Sequence, residues 1–200
     1  MTKQIHFIWI SRQNKPIPES CLTFVDMWKT MYHDWDIKIW GNSDIAGLHD
    51  PVLDACWLDT NIQEAQVSNR MRMTIVYAFG GIYADIDTKP IKRIDQLISD
   101  SKHDMIIGLT QARTPTMGYI ADMNMFYASA GNLVLKLLMD RFPVAIMGNL
   151  PINEYVANEC KDSVTLLPWR YFQDYNLTPE TYTLHWPYRL ATWVKLPRKL

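Results

Sequence analysis

Tyr77-Ala78-Phe79-Gly80-Gly81-Ile82-Tyr83-Ala84-Asp85-Ile86-Asp87-Thr88 runs from the end of a helical pattern, through paired glycines, into a short apolar stretch closed by two acids. The residues before it, Gln63–Phe79, contain neither Gly nor Pro and read as a helix that Gly80-Gly81 stop. Read as a strand, Ile82–Asp87 sorts its side chains with a period of two. Ile82, Ala84 and Ile86 take one face; Tyr83, Asp85 and Asp87 take the other. Two carboxylates on one face at the end of a buried strand repel each other unless a cation or bound polar groups compensate. A hard divalent ion that binds through one or two carboxylates plus phosphate oxygens is the usual solution.

The pattern on either side alternates strand and helix. Ile5–Ile10 is an apolar run of strand length, closed by the turn-rich segment Ser11–Pro18. Glu19 to Tyr32 spaces Leu22, Val25, Met27 and Trp28 helically, and Asp36–Trp40 alternates as a second strand. Pro90 ends the strand that carries the acids. Met105–Leu109 and Met123–Ala128 read as further strands and Asn132–Arg141 as a helix. Beyond Pro143 the signal weakens to a short helix at Asn153–Cys160, a strand at Val164–Leu167 and aromatic-rich loops. This alternation predicts an α/β sandwich with a mostly parallel central sheet, a single domain over residues 1–200. Ligands of such sheets sit beyond the carboxyl ends of the strands, where Asp85 and Asp87 are expected.

Composition narrows the class. With 200 residues, 48% of them hydrophobic, the chain can bury one sizeable core. A net charge of −1 gives no electrostatic reason for tight binding to nucleic acid or anionic membrane. Cys21, Cys56 and Cys160 are odd in number and widely spaced, which argues against a disulfide framework or zinc site and for a reducing compartment. No segment approaches the roughly 20 apolar residues that span a bilayer, so no integral membrane segment is expected.

Phe79-Gly80-Gly81-Ile82-Tyr83-Ala84-Asp85-Ile86-Asp87-Thr88 resembles the signature of the DXD-containing sugar-binding glycosyltransferases. That family includes initiating mannosyltransferases, capsule enzymes and, more distantly, the glucosylating clostridial toxins. Further pieces follow the family's order. Ile5-His6-Phe7-Ile8-Trp9-Ile10 resembles its first strand, Ser68-Asn69-Arg70-Met71-Arg72 its S/A-D-x-x-R helix start, and His185-Trp186 with Ala191-Thr192-Trp193 its closing segment. The resemblance implies a GT-A-like fold and a metal-dependent transferase acting on a nucleotide diphosphate sugar with retention of configuration. It implies Mn²⁺ or Mg²⁺ held by Asp85, Asp87 and His185, with the two acids as the catalytic pair. It also implies a donor site formed by Ile8, Trp9, Ser68, Asn69, Arg72, Tyr83, Asn124 and Trp193. Acceptor classes left open are glycan, lipid-linked saccharide, protein and modified nucleobase. A cytoplasmic bacterial or viral enzyme is the expected setting.

Plainer roles compete at several of these positions. A Trp in an apolar strand is usually core, yet a first strand of this kind is also a good place to stack a base, so both readings of Trp9 stand. Arg72 on a helix is ordinarily solvated or ion-paired, and a His among aromatics is ordinarily a hydrogen-bonded core residue. Asn69 departs from the family, which usually has Asp there; an amide donates and accepts, whereas a carboxylate only accepts. Two other classes compete for the whole chain. One is a non-catalytic nucleotide-sugar binder. The other is an Asp-x-Asp phosphohydrolase, whose motif favours Thr or Val at the position held here by Lys89.

Overall fold

A computed structural model describes residues 2–109, 121–143, 150–173 and 177–185. The first half contains β1 (Gln4–Ile8), α1 (Glu19–Met31), β2 (Asp36–Trp40), α2 (Pro51–Leu58), α3 (Glu64–Phe79), β3 (Gly81–Ala84), β4 (Thr88–Pro90) and α4 (Asp95–Asp100). The second contains β5 (Met105–Leu109), β6 (Ala121–Ala128), α5 (Leu133–Arg141), α6 (Leu150–Glu159), β7 (Thr165–Leu167), α7 (Arg170–Gln173) and β8 (Thr183–His185). The central sheet has the order β2-β1-β3-β6-β5-β7. Neighbours pair in parallel at β1–β2, β1–β3 and β5–β7, while β6 runs against β3 and β5. The sheet is therefore mostly parallel, as the alternating pattern predicts.

Period-two sorting divides the core between the two faces of this sheet. Ile5, Phe7, Ile82, Ala84, Ile106 and Met125 face α1, where Val25, Trp28 and Tyr32 meet them. Ile8, Tyr83, Ile107 and Phe126 face α3 and α5, against Met71, Ile75, Leu135 and Leu138. Trp28, Tyr32 and Phe7 are fully buried, and side chains of this size each contribute about 1.5–3 kcal/mol or more on leaving water. The helices have local start signals as well. Asp50 accepts from the Val52 and Leu53 amides to cap α2, with Pro51 in its first turn. Gln63 and Gln66 form the cap of α3.

Three differences from the sequence reading bear on the site. β1 ends at Ile8, so Trp9 and Ile10 lie beyond the strand. β3 ends at Ala84, and Asp85, Ile86 and Asp87 form a turn closed by the Thr88 amide donating to the Asp85 carbonyl at 2.9 Å. The chain then enters β4, where a strand end was expected, and β4 pairs antiparallel with β8. The ladder to β6 ends at this pair: the Asp85 amide still donates to the Asn124 carbonyl at 2.8 Å, but the Asn124 amide, which an antiparallel ladder would return to the Asp85 carbonyl, donates to Asp122 Oδ1, and the Asp85 carbonyl accepts from Thr88 instead. With that pair broken on one side, the chain turns.

Candidate active site

Paired glycines set the entry to the acid turn. Gly80 and Gly81 have φ of 68° and 104°, a region that side chains disfavour. A Cβ on Gly81 would also press into the Gln4 carbonyl of β1. The Gly80 carbonyl accepts from His6 Nε2 at 2.8 Å, and His6 Nδ1 accepts from Trp40 Nε1 at 3.2 Å. Burial lowers the His6 pKa, the Gly80 hydrogen bond opposes that, and nearby Lys38 lowers it further.

Asp85 sits in a dense set of partners. Its Oδ1 accepts from the Tyr83 hydroxyl at 2.6 Å and lies 3.2 Å from Arg72 Nη2. Ser68 in turn hydrogen-bonds Tyr83, so Ser68, Tyr83 and Asp85 form a chain. Arg72 is 5% exposed and also donates through Nη1 to the Met123 carbonyl at 2.7 Å, with its guanidinium 4.6 Å from the Tyr83 ring centroid. No described residue hydrogen-bonds the buried Arg72 Nε. Burial, reinforced by the Asp85 charge and opposed by Arg72, holds the Tyr83 phenol well above its usual range.

β8 delivers the third member. Register pairing of Thr88 with His185 sets the imidazole beside the turn. His185 Nε2 lies 3.2 Å from Asp87 Oδ1 and 3.6 Å from Asp85 Oδ2, and Nδ1 lies 3.2 Å from Asn124 Nδ2. One ligand atom each from Asp85, Asp87 and His185 falls within 4.8 Å of the others, a spacing that could hold a metal ion. Burial alone would depress the His185 pKa, but the hydrogen bond to Asp87 and the charges of Asp85, Asp87 and Asp122 outweigh it, and the net shift is upward. Asp122 is buried, and desolvation raises its pKa.

These groups open on a cavity of about 650 Å³. Ile8, Trp9, Ser68, Asn69, Arg72, Tyr83, Asp85, Asp87 and His185 all line it. Trp9 is half-buried, and its indole N–H donates to the Lys15 carbonyl at 2.9 Å, which ties the loop after β1 over the cavity. Asn69 is 7% exposed, and no described residue hydrogen-bonds its amide. Asn124 is not among the described residues of the cavity wall; its amide faces His185. Trp193 lies outside the described residues, as do Trp186 and Arg189. Sequence reasoning did not single out Lys15, Cys21 or Glu64, which also line the cavity. Burial and the nearby Asp87 charge push the Cys21 thiol up to about 11. Helical spacing shows that Cys21 faces inward, but nothing in it says that the inward face ends at the acid turn.

The chain thus has a cleft at the carboxyl end of a mostly parallel sheet, floored by an Asp-x-Asp turn, on a GT-A-like fold. Residues 18–104 match the family described as the glycosyltransferase sugar-binding region containing DXD motif, and the chain carries that region around the turn described above. No curated protein matches the chain in sequence. Among solved structures, the PaToxG glycosyltransferase is 18% identical, with 70% of this chain aligned and a TM-score of 0.51. The chain spans 59% of that protein's length. A glycosyltransferase involved in glycosylation of the major capsid of PBCV-1 is 10% identical over 90% of this chain and 92% of its own, with a TM-score of 0.53. Galactosyltransferase LgtC, solved with donor and acceptor sugar analogs, is 10% identical over 92% and 87%, with a TM-score of 0.54. At these identities the likenesses show the fold. Among the described residues, no helix is long and apolar enough to cross a membrane.

Proposed function

We propose that residues 1–200 form one glycosyltransferase domain that transfers a sugar from a nucleotide diphosphate sugar, with a divalent metal and with retention of configuration. The observation that carries this reading is the convergence of Asp85, Asp87 and His185 at the floor of a cavity lined by Trp9, Asn69 and Arg72. Two carboxylates and an imidazole suit Mn²⁺ better than Ca²⁺, and Mg²⁺ through the carboxylates alone, so the donor set fits the group the family implies. Bound there, the ion would supply Lewis-acid neutralisation of the departing diphosphate, worth several kcal/mol. The protein's own groups do the rest. Arg72 and Tyr83 hold Asp85 Oδ1, leaving Oδ2 for the ion's side of the turn. Trp9 offers a ring face to the base. Ser68 and the Asn69 amide, which no described residue hydrogen-bonds, face the sugar, where a buried, directional hydrogen bond discriminates among hydroxyl patterns.

Glycan, lipid-linked saccharide, protein and modified nucleobase are the acceptor classes compatible with this reading. Three free, buried cysteines support a reducing, cytoplasmic setting, bacterial or host. The test is incubation with a panel of nucleotide sugars and Mn²⁺, measuring released nucleotide. Metal-dependent hydrolysis or transfer of one donor supports the proposal. Binding without turnover, or phosphate release from simple monoesters, would replace it with the binder or the phosphohydrolase.

A further inference from the structure

The pairing of β6 with β5 is interrupted where β6 passes the site. Its partner β5 pairs Ile107 with Phe126 and then Gly108 with Asp122, so Met123, Asn124 and Met125 have no opposite number on β5. Such bulges re-aim side chains next to functional sites. This one is pinned at three points. The Met123 carbonyl accepts from Arg72 at 2.7 Å, the Asn124 carbonyl accepts from the Asp85 amide at 2.8 Å, and the Asn124 amide donates to Asp122 Oδ1 at 3.0 Å. The side chain presented by this pinned backbone is the Asn124 carboxamide, 3.2 Å from His185 Nδ1.

We propose that Asn124 is a positioning residue for His185: its carboxamide fixes the ring and decides which imidazole nitrogen is free to face a metal. This rests on the metal-dependent reading above. In the arrangement seen, Asn124 Nδ2 faces Nδ1, so Nδ1 accepts and the ring proton sits on Nε2, toward Asp87. Nε2 cannot ligate a cation while it carries that proton. To present a lone pair there, Nε2 gives a proton to water and Nδ1 takes one from water, leaving the imidazole neutral. Nδ1–H then needs an acceptor, and a half-turn of the same carboxamide brings Oδ1 into place. Asn serves both states because it has a donor end and an acceptor end. Metal-bound histidines generally donate their other N–H in this way, and removing the acceptor typically weakens metal binding by about 10–100-fold.

The test uses the intact chain. Long-range ¹H–¹⁵N correlation on ¹⁵N-histidine-labelled protein reads the His185 tautomer, without metal and with diamagnetic Zn²⁺. Titration with Mn²⁺ followed by electron paramagnetic resonance gives the metal Kd. The wild-type protein should show Nε2–H alone and Nδ1–H with Zn²⁺. Asn124→Leu should lose the single tautomer and raise the Mn²⁺ Kd about 10–100-fold. Asn124→Asp, which can still accept from Nδ1–H, should restore the Nδ1–H tautomer with Zn²⁺ and bring the Kd back to within a few-fold. If Asn124→Leu fails to fold, Asn124→Ala takes its place. Wild-type tautomers and Kd in the Leu or Ala variant overturn the proposal. If His185→Ala weakens Mn²⁺ binding while the Asn124 variants do not, only the positioning role falls. If His185→Ala also leaves the Kd unchanged, the metal role of His185 falls and the proposal with it.

Discussion

Replacing Arg72 by Met keeps the length of the side chain in the α3 interface but removes the guanidinium from Asp85, Tyr83 and the Met123 carbonyl. Arg72 is 5% exposed, whereas the Asp85 side chain is 21% exposed, so the carboxylate left behind is only partly reached by water. Removing one partner of a buried ion pair costs about 3–5 kcal/mol, and that partial exposure argues for the lower end, about 3 kcal/mol. At about 2–4 °C per kcal/mol for a chain of this length, the melting temperature should fall by roughly 6–12 °C. Much of this cost is the stranded charge rather than lost packing. Adding Asp85→Asn to Arg72→Met should therefore recover about 1–2 kcal/mol, a favourable coupling between neighbours that a double-mutant cycle isolates. The assay is thermal denaturation of all four proteins in chelator, so that no cation stands in for the missing guanidinium. An Arg72→Met protein that melts within about 2 °C of wild type, or a double variant no better than the single, would refute this account of the pair.

Asp87→Asn should leave the protein folded and lower Mn²⁺-dependent donor turnover roughly a hundredfold or more; turnover that survives both this change and chelator removes the metal role. Trp9→Ala should weaken free nucleotide diphosphate by about 1–3 kcal/mol, several-fold at least, in equilibrium dialysis; unchanged affinity would return Trp9 to packing and to its bond with Lys15. Asn69→Asp should reorder relative kcat/KM across a donor panel, because a mismatched buried polar contact costs about 1–3 kcal/mol; a uniform rise would instead mark Asn69 as a damaged acid. His6 has a lowered folded pKa, so the unfolded chain binds its proton more readily. Its contribution to stability is present above the unfolded value, about 6.5, and is lost as pH falls through the folded one. Wild-type protein should therefore lose melting temperature more steeply than His6→Gln below pH ~6.5, and parallel curves would contradict that.

The fold was legible wherever apolar periodicity was long or a breaker was strong. β2 and β5 match the strands read at Asp36–Trp40 and Met105–Leu109, and α3 begins one residue after the helix read from Gln63. α4, which spans six residues, and β8, which spans three, escaped notice as too short for a period to show. α2 is different, because Asp50-Pro51 is a start signal of known physical basis that was present and went unread. Within the site, Trp9, Ser68, Asn69, Arg72 and Tyr83 come from three separate segments and meet at one cavity. Resemblance, not periodicity, grouped them. Lys15 and Cys21 could not be found that way, since a polar turn and an inward helix face carry no mark of what they cover.

The bulge in β6 was invisible for a physical reason, and much of the site's geometry depends on it. Ala121–Ala128 contains no Gly or Pro, and its apolar residues would fit an unbroken strand. What breaks it is a competition for main-chain groups, decided by side chains distant in sequence. Arg72, 51 residues away, takes the Met123 carbonyl, and Asp122 takes the Asn124 amide. A charge-assisted hydrogen bond from a buried guanidinium is worth about 1.5–3 kcal/mol, more than the roughly 1 kcal/mol of an ordinary ladder bond, so the side chain prevails. On the other edge of β6 the Asn124 amide goes to Asp122 rather than to the Asp85 carbonyl, the β3 ladder ends there, and Asp85 and Asp87 lie in a turn rather than a ladder. The same displacement carries the Asn124 amide to His185. Arg72 thus acts on two elements of the site: it pairs with Asp85 directly, and it holds the Met123 carbonyl of the bulged strand.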